Sequence, residues 1–417
     1  MNRVGVASVK AMDELNRADI KDVDKRWDAF QIVEQIIPKS FTILPSNAAW
    51  KKRREAVMKT FRINYVSKLT PLFARQVQLK LDTMEKGKEL DFVTEASDIT
   101  SNIIMSICFG EDIFKGKYRE EWLDLGRKIH FAQEENVKVY LHPVFFVSPA
   151  LVDFLKLGPL KRREERNAEI YSQLASLLKK DRDDNCLYYK LMNEYGFTEE
   201  EALQDTAMVI IGGNDTSSRS IIAAIFWLKK NQKMANKLKE ELAKVGITKD
   251  TDFTSDHFKE NITECNYIDY VIKEVLRIDN AATGSMPKFA SRDFKLCGVN
   301  IPKDCLVYYN FNYVHFSYEY WHEPHKFIPE RFDPEDPLFF MPGKPTQTRP
   351  PLCYSPFSTG KRICPGQVLA KFEAKCVISM LVLLMDYDIP KEQLDRDDLK
   401  FCVVNFQKLK LTYNGRL

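Results

Sequence analysis

Residues 357–366, which read FSTGKRICPG, place one cysteine between glycines and next to positive charge. Cys364 comes just before the last long helical pattern, so N–H groups at the start of that helix can point at its sulfur. Gly360 and Gly366 permit a tight turn and a close approach of the backbone. Together with Arg362, these features stabilise a thiolate. The segment therefore predicts a cysteine that takes part in chemistry.

Three roles are open to Cys364. Most lone cysteines are inert buried thiols, but an inert thiol would not explain the two glycines and the arginine around Cys364. A nucleophile needs a base, and no histidine lies nearby in the sequence. The nine cysteines contain no CxxC pair and the six histidines no HExxH motif, so zinc is not expected. A lone thiolate ligand excludes an iron–sulfur cluster and leaves haem iron.

The longest helical pattern begins with a capping box at Thr198 and has an unusual polar centre. That centre consists of Gly212, Gly213, Asn214, Asp215, Thr216 and Ser217. Each mid-helix glycine costs about 1 kcal/mol relative to alanine. Close packing against another helix, with Thr216 bonding back to its own helix, is one explanation. The other is a locally opened helix, with a flat group against the glycines and a hydroxyl and a carboxylate aimed at it.

Glu274 and Arg277 lie three residues apart in a helical pattern, so they share one face. Most such pairs are exposed and contribute only a few tenths of a kcal/mol, by the order of magnitude of surface pairs. Arg331 follows in PERF, within a proline-rich segment. If the three side chains meet, they form a buried carboxylate between two guanidiniums, which is costly to desolvate but geometrically specific.

The elements that must position these residues are mostly helices. Helical spacing is clearest in the ranges 48–60, 66–86, 93–108, 160–182, 198–231 and 262–279. Short strands are expected over 288–318, followed by an irregular proline-rich segment. A last helix is expected over about 365–383, and residues 399–414 alternate as in a hairpin. The predicted fold class is mainly α with a small β part, in a single domain over residues 1–417.

The composition excludes several classes of protein. Hydrophobic residues make up 44% and charged residues 29% of the chain, and the net charge of +3 gives no strong field for nucleic acid. An odd number of cysteines argues against a disulfide framework and for a reducing compartment. The first residues lack the long apolar stretch of a signal peptide or anchor. The apolar runs 221–228 and 377–385 are too short to span a bilayer and predict buried helices.

Four motifs resemble those of the cytochrome P-450 haem-thiolate monooxygenases, in that family's order and from about residue 8 onwards. They are the cysteine motif F-x-x-G-x-R-x-C-x-G, the oxygen-activating (A/G)-G-x-(D/E)-T-(T/S), the E-x-x-R and P-E-R-F pair, and W-x-x-x-R. The matching residues outside GGNDTS are Trp50, Arg54, Glu274, Arg277, Arg331, Phe357, Gly360, Arg362, Cys364, Gly366, Ala370 and Glu373. The resemblance implies the cytochrome P-450 fold, with a long central helix crossing the haem and a cysteine-ligand loop before the last long helix.

The resemblance also implies a role for each residue. Cys364 would be the metal ligand of haem b, Thr216 would hold dioxygen and a water, and Asp215 would feed protons from solvent. The other cofactor-binding residues would be Trp50, Arg54, Gly212, Gly213, Phe357, Gly360, Arg362, Gly366 and Ala370. Of these, the tryptophan and both arginines would pair with the haem propionates and the phenylalanine would shield the sulfur. Glu274, Arg277 and Arg331 would form a structural triad.

The implied function is insertion of one oxygen atom from O2 into a small apolar organic substrate. Electrons would come from NADPH through NADPH-cytochrome P-450 reductase, with cytochrome b5 as a second donor, and the protein would be monomeric and bind no nucleic acid. Two alternatives are a degenerate haem-binding protein without turnover, and a reductase-independent haem-thiolate isomerase, dehydratase or peroxygenase. Intact Asp215 and Thr216 argue against the second alternative.

The chain departs from the family at its start, where the tryptophan motif comes unusually early. This predicts that the family's anchor, first helix and first two strands are missing. The implied endoplasmic reticulum membrane location would then become a peripheral or cytosolic one. The strands over 288–318 would lack a partner and expose an edge. Asn280 replaces the usual proline after E-x-x-R, and Lys288 is the nearest cation where a propionate-binding arginine is expected.

Two kinds of surface are also predicted. The apolar stretches 30–43 and 139–155 lie where the family has its substrate-access loops, with core or membrane contact as the alternative. Four cations could form a docking face for an acidic reductase, with an ordinary solvated face as an equally good explanation. They are Lys51, Lys52, Arg53 and Lys361.

Overall fold

The computed structural model describes residues 3–18, 21–25, 37, 39–114, 117–141, 158–180, 186–403 and 407–417. The first helices in chain order are α1 (Val9–Arg17), α2 (Ala48–Thr60), α3 (Ile63–Val66), α4 (Thr70–Thr83), α5 (Phe92–Phe109), α6 (Arg119–Leu141), α7 (Gly158–Lys180) and α8 (Leu187–Asn193). The next are α9 (Glu199–Lys230), α10 (Gln232–Lys244), α11 (Asp256–Glu264), α12 (Asn266–Ile278), α13 (Phe311–His315), α14 (Gln367–Leu384) and α15 (Lys391–Leu394). The predicted helical ranges are found, and two of them are divided.

The strands are short. They are β1 (Arg3–Val6), β2 (Val23–Asp24), β3 (Glu89–Asp91), β4 (Lys288–Ala290), β5 (Phe294–Leu296), β6 (Val299–Ile301), β7 (Leu306–Tyr309), β8 (Phe340–Met341), β9 (Lys344–Thr348), β10 (Met385–Asp388) and β11 (Lys410–Arg416). One sheet has the order β1-β7-β4-β2 and another the order β10-β11-β3, while β5-β6 and β8-β9 are two-stranded. The prediction of a mainly α protein with a small β part is confirmed.

The divided helices have local causes. Pro71 lies in the first turn of α4, where its missing N–H costs nothing, so the predicted 66–86 helix restarts there. Cys265 has an extended backbone, so the predicted helix 262–279 is divided there: residues 262–264 end α11, and α12 begins at Asn266. The capping box of α9 forms as predicted. The Thr198 N–H donates to Glu201 Oε2 at 3.1 Å, and the Glu201 N–H donates to Thr198 Oγ1 at 3.2 Å.

The expectation that the strands within 288–318 lack a partner is wrong. β1 pairs in parallel with β7, with Arg3 opposite Leu306, and β2 pairs antiparallel with β4. The first residues of the chain, 3–6 and 23–24, form the partner strands themselves, so both β7 and β4 are paired. The segment 311–315 is helix α13 and not a strand.

The predicted hairpin over 399–414 is also wrong. β11 pairs with β10 and β3 instead of with residues 399–403. The backbone N–H of Phe401 donates to Asp279 Oδ1 at 2.8 Å, and the N–H of Val403 donates to the Ala281 carbonyl at 2.9 Å. These donors are therefore already satisfied by the segment after α12, so they cannot form a local ladder.

The chain divides into two compact units. The first unit comprises Met1–Lys25, Phe61–Ile99 and Thr216–Leu417, and the second comprises Arg26–Thr60 and Thr100–Asp215. In the first unit, the four-stranded sheet and α1 share one apolar cluster, and α14 is buried from Phe372 to its end. The predicted single domain over 1–417 stays a prediction.

Both short apolar runs are buried within helices, as predicted: 221–228 within α9 and 377–384 within α14. Among the described helices, none has the length and apolar character needed to cross a bilayer. All nine cysteines carry free thiols.

Candidate functional site

The loop that carries Cys364 is held by its own backbone. The Cys364 N–H donates to the Phe357 carbonyl at 2.9 Å, and the Ile363 N–H donates to the Gly360 carbonyl at 3.1 Å. A 3-10 turn, Gly360–Arg362, lies between these bonds, and α14 begins three residues after the cysteine. Cys364 is partly exposed. The loop therefore fixes the cysteine while leaving its side chain accessible.

Gly360 is required by both conformation and space. Its φ is +71°, in the left-handed region, and a Cβ added there would lie 2.6 Å from Asn16 Oδ1. Asn16 also contacts the loop, because its Nδ2 donates to Thr359 Oγ1 at 3.2 Å, and it accepts a bond from the Tyr309 hydroxyl at 2.6 Å. Helix α1 and strand β7 thus support the loop through one asparagine. No local motif in the sequence pointed to Asn16.

The other predicted residues of this loop lie at the start of α14. An added Cβ at Gly366 would be 3.9 Å from Cys364 Sγ, which is ordinary contact, so protein packing alone does not demand glycine there. The Ala370 N–H donates to the Gly366 carbonyl at 2.9 Å in the first helical turn. The Lys371 ammonium lies 5.3 Å from the centre of the Phe357 ring. The cofactor-binding roles of Phe357, Gly366 and Ala370 stay predictions.

A buried histidine anchors the beginning of the same loop. The Ser355 N–H donates to His315 Nε2 at 3.1 Å. Burial lowers the pKa of His315 to about 3, so the ring is neutral and can accept this bond. Asn280 stands where proline was expected, and its side-chain amide donates to the Pro356 carbonyl at 3.5 Å. Both contacts join residues far apart in the sequence, which is why sequence reasoning missed them.

Three cations gather beside the loop. Arg362 lies 3.5 Å from Asp24, and the Lys25 ammonium donates to the Pro287 carbonyl at 2.9 Å. Burial first, then the charges of Arg362 and Lys288, lower the pKa of Lys25 well below its usual value. Burial is also the main cause that lowers the pKa of Lys288. Within the described residues, the positive side chains of Arg362, Lys25 and Lys288 lie beside the cysteine loop, and cations suit the carboxylates that haem b carries in its propionates. The donor set therefore fits haem.

The two glycines at the centre of α9 differ. A Cβ added at Gly213 would lie 2.9 Å from Cδ1 of Ile104 on α5, so this glycine allows close helix packing. A Cβ at Gly212 would reach only a side chain of its own helix, at 3.6 Å, and the residue is exposed. Thr100 of α5 donates its hydroxyl to the Asn214 side-chain oxygen at 2.8 Å. Close packing thus explains Gly213, and no such contact within the described residues explains Gly212.

Asp215 and Thr216 follow on the same helix and are both partly exposed. The Ser220 hydroxyl donates to the Thr216 carbonyl at 2.9 Å, which places a side-chain donor against the helix backbone at this point. A carboxylate and a hydroxyl on adjacent, partly accessible residues can take up and pass on a proton.

A buried acid lies against the next residue of α9. The Ser217 hydroxyl donates to Glu373 Oε2 at 2.9 Å, and Glu373 lies on α14, where 3% of it is exposed. Its other oxygen has no hydrogen-bond partner within the described part of the chain. Burial raises the pKa of Glu373 to about 8, so this carboxyl is mostly protonated at neutral pH.

Glu274, Arg277 and Arg331 meet in a site that is closed to solvent. Two bonds of 2.8 Å join Arg277 to both carboxylate oxygens, and Arg331 Nε lies 3.2 Å from Oε1. The Ile328 N–H also donates to Oε1, at 2.9 Å. Backbone carbonyls accept the remaining guanidinium N–H groups. The geometry is the bidentate, fully hydrogen-bonded one that a buried ion cluster requires.

Helix α2 carries the tryptophan motif. Trp50 and Arg54 are both buried, and the Arg54 guanidinium carbon lies 5.9 Å from the centre of the indole ring. Lys51 and Lys52 are exposed on the same helix, and Lys361 is exposed on the cysteine loop. These three cations are available for a partner.

The prediction that Arg53 belongs to a docking face is wrong. Arg53 is 5% exposed and forms two short bonds to Asp205, of 2.7 and 2.6 Å. Asp205 is fully buried and also accepts the Phe41 N–H at 2.8 Å. Arg53 therefore faces the interior because a buried carboxylate of α9 balances its charge.

A small apolar cavity of about 20 Å³ lies among α6, α7 and the first half of α9. Side chains of Ala207, Ile210 and Ile211 form its α9 wall, just before Gly212. About one water molecule would fill this volume. The predicted access stretch 139–155 lies almost entirely outside the described residues, and so does most of 30–43, so neither is placed.

The predicted residues are thus distributed over both units. The first unit holds Thr216, Glu274, Arg277, Arg331, Phe357, Gly360, Arg362, Cys364, Gly366 and Ala370. The second unit holds Trp50, Arg54, Gly212, Gly213 and Asp215. The residues that the sequence missed, Asn16, Lys25 and His315, all lie around the cysteine loop in the first unit.

Known proteins resemble this chain along most of its length. The family model described as Cytochrome P450 matches residues 2–412. Cytochrome P450 2U1 of Bos taurus is 24% identical over 82% of this chain and 64% of its own length. Cytochrome P450 CYP72A219 of Panax ginseng is 24% identical over 80% of this chain and 65% of its own length. The chain therefore spans less than two thirds of the length of these relatives.

A solved structure shows the same fold. Retinoic acid-bound cyanobacterial CYP120A1 superposes with a TM-score of 0.77, at 17% identity, over 99% of this chain and 88% of its own. This similarity confirms the predicted cytochrome P-450 fold. The family match over nearly all residues and the shared fold lead to one conclusion: the chain belongs to the cytochrome P450 family.

Proposed function

We propose that this chain is a haem-thiolate monooxygenase that inserts one oxygen atom from O2 into a small apolar substrate, with electrons from NADPH delivered by a reductase. The observation that carries the proposal is the cysteine loop itself. Its backbone bonds fix a partly exposed Cys364, and the cations Arg362 and Lys25 lie beside it. Neither feature has a use in an inert buried cysteine.

The residues that would hold the haem are of two kinds. Cys364 would supply the sulfur ligand, and Arg362, Lys288 and Lys25 would pair with the carboxylates. Trp50 and Arg54 are assigned to the same carboxylates by their motif. When bound, the haem supplies the activation of O2, which electron donation from a thiolate favours.

The chain's own residues would manage protons and water. Asp215 is partly exposed, so its carboxylate can exchange protons with solvent and pass one to the hydroxyl of Thr216. That hydroxyl would also hold an ordered water. The apolar side chains of Ile210 and Ile211, just before Gly212 on α9, support the choice of an apolar substrate.

Turnover by the haem-loaded protein with NADPH and an added cytochrome P-450 reductase tests this proposal, with a neutral alkylbenzene as the probe. Thr216→Ala should keep the haem but form more hydrogen peroxide and less hydroxylated product per NADPH. Ser220→Ala, one turn further along α9, is the matched control and should leave this ratio near the wild-type value. An unchanged ratio in Thr216→Ala would show that its hydroxyl only packs.

The same assay separates the alternatives. Without NADPH and reductase, substrate conversion with no other reagent would favour the isomerase, and conversion only with added hydrogen peroxide would favour the peroxygenase. The absence of conversion under all of these conditions would favour the haem-binding protein without turnover. Exposed Lys51, Lys52 and Lys361 are the cations through which we infer reductase docking, so their replacement by glutamate should raise the reductase concentration needed for half-maximal NADPH consumption. The location at the endoplasmic reticulum membrane and the monomeric state stay predictions.

A further inference from the structure

One side chain of helix α1 reaches the turn that leads to Cys364. Asn16 donates from Nδ2 to Thr359 Oγ1 at 3.2 Å, and the Tyr309 hydroxyl donates to Asn16 Oδ1 at 2.6 Å. Thr359 immediately precedes the 3-10 turn Gly360–Arg362. Asn16 therefore connects strand β7 to the cysteine loop, across a separation of 343 positions between Asn16 and Thr359 in the sequence.

The backbone around Thr359 has a conformation that needs support from outside the loop. Ser358 has a φ of +65° and Gly360 a φ of +71°, both in the left-handed region, and Thr359 between them is extended. Glycine adopts the left-handed conformation freely, but serine adopts it only at a cost in free energy. Such a conformation persists where surrounding contacts hold it in place. The bond from Asn16 to Thr359 is one such contact.

Helix α1 is itself held in place by packing. Met12 and Leu15 are buried in the apolar cluster that also contains Tyr309. Asn16 follows Leu15 directly, so this packing fixes the position from which its side chain starts. A Cβ added at Gly360 would lie 2.6 Å from Asn16 Oδ1, so the backbone of the turn runs directly against the asparagine. Asn16 thus holds the turn both by a hydrogen bond and by close contact.

The same turn supplies the acceptors that hold the cysteine backbone. The Gly360 carbonyl accepts the Ile363 N–H at 3.1 Å, and the Phe357 carbonyl accepts the Cys364 N–H at 2.9 Å. Because these two carbonyls lie on either side of Thr359, a shift of the turn would disturb both bonds. Groups that orient a metal ligand without binding the metal commonly control how well the metal is held.

We propose that Asn16 is a positioning residue, which holds the turn before Cys364 so that the sulfur stays bound to haem iron as a thiolate. The proposal rests on the proposed function, because it takes Cys364 as the ligand of haem iron. The effect passes through the backbone of the loop, since the side-chain bonds of Asn16 are to Thr359 and Tyr309. Without this support a proton from solvent competes better with iron for the sulfur, so the thiolate is lost at a higher pH.

The experiment follows the absorption spectrum of the haem-loaded, reduced and carbon monoxide-bound full chain as the pH is lowered, and records the pH at which half of the thiolate band is lost. Asn16→Ala should raise this midpoint by up to about one pH unit, the equivalent of one hydrogen bond. Ser8→Ala is the matched control. It removes the N-cap of the same helix, where Ser8 Oγ accepts the Ala11 N–H at 3.1 Å, but no bond to the loop, so it should keep the wild-type midpoint.

Two variants at Thr359 test the hydrogen bond from the side of the loop. Thr359→Val removes the acceptor oxygen and keeps the shape of the side chain, so it should raise the midpoint as Asn16→Ala does, whereas Thr359→Ser keeps the hydroxyl and should keep the wild-type midpoint. The double variant should shift the midpoint no further than Asn16→Ala alone, because both changes remove one shared bond. An unshifted midpoint in Asn16→Ala, or an equal shift in Ser8→Ala, would overturn the proposal. Equal midpoints in Thr359→Val and Thr359→Ser would also overturn it, even where Asn16→Ala does not fold.

Failure here can be told apart from failure of the proposed function. Hydrogen exchange at the Ile363 and Cys364 amides can be followed in the full chain before haem is added, and it should be faster in Thr359→Val than in Thr359→Ser, by up to about tenfold. This difference in exchange, in a protein whose wild type shows no thiolate band with haem, would refute only the proposed function. A thiolate band with one midpoint in all variants, or equal exchange in both Thr359 variants, would refute only the present proposal.

Discussion

Replacing Glu274 by glutamine removes the central charge of the buried triad while keeping the shape of the side chain. The wild-type carboxylate accepts two bonds of 2.8 Å from Arg277, one of 3.2 Å from Arg331 and one of 2.9 Å from the Ile328 N–H. An amide offers one oxygen in place of two and puts N–H donors against a guanidinium. Both arginines, which are fully buried, would lose their counter-charge.

Breaking a buried ion pair in this way costs roughly 3–5 kcal/mol, because an uncompensated charge stays in the interior. Domains are stable by only about 5–15 kcal/mol, so the loss is a large share of the total. We expect Glu274→Gln to lower the free energy of unfolding by about this amount. Urea titration followed by tryptophan fluorescence suits the measurement, since buried Trp321 lies 5.3 Å from the Arg277 guanidinium carbon.

Lys326→Gln is the matched control for Glu274→Gln. It breaks an exposed pair with Glu323 in the same segment, and both of those side chains are more than half exposed. Its expected cost is below about 1 kcal/mol. A loss in Glu274→Gln no larger than that in Lys326→Gln would refute the view that this cluster holds the segment together.

Three further predictions concern the helices that carry the motifs. In chemical denaturation Arg53→Ala should lower the free energy of unfolding by about 3–5 kcal/mol, because it leaves the buried carboxylate of Asp205 unpaired. Lys52→Ala should lower it by less than about 1 kcal/mol. Equal losses in the two variants would contradict the buried position of Arg53. In the same assay Gly213→Ala should be less stable than Gly212→Ala by about 1–3 kcal/mol, because the added methyl group at position 213 would press against Ile104 of α5. A more stable Gly213→Ala would contradict the close packing of α9 against α5. Burial raises the pKa of Glu373 to about 8 in the folded state, against about 4.3 in the unfolded state. The protonated carboxyl therefore contributes fully to stability at low pH, and this contribution is lost by up to about 1.4 kcal/mol per pH unit between about pH 5 and 8. In urea titrations across this range the free energy of unfolding of Glu373→Gln should decline less steeply with pH than that of the wild type; an equal decline would mean that the folded-state carboxyl is ionised.

Much of the site could be predicted from the sequence, because its chemistry lies in short motifs. The cysteine loop needs glycine at a left-handed backbone position, and Gly360 is that residue. Glu274 and Arg277 are three residues apart on one helix, so their pairing requires only that the helix form. For such residues, neighbours a few positions away in the sequence are enough to show why that residue type is needed.

Contacts between segments that are distant in the sequence could not be predicted. Arg53 was assigned to the surface because charged residues usually lie there, and nothing local reveals that its partner Asp205 lies 152 positions away. Asn16 and His315 support the cysteine loop from other elements, and no spacing rule connects them to Cys364. The partner strand of β7 was missed for the same reason, since pairing is decided by the folded sheet.

The absorption spectrum of the haem-loaded, reduced and carbon monoxide-bound protein is the measurement that tests the central claim most directly. The wild type should show the red-shifted Soret band of a thiolate ligand, and Cys364→Ala should lose it. Cys353→Ala is the matched control, because this nearby thiol is buried and its pKa is raised to about 12, so that variant should keep the band. Retention of the band in Cys364→Ala, or its absence in a haem-loaded wild type, would contradict the assignment of Cys364 as the ligand.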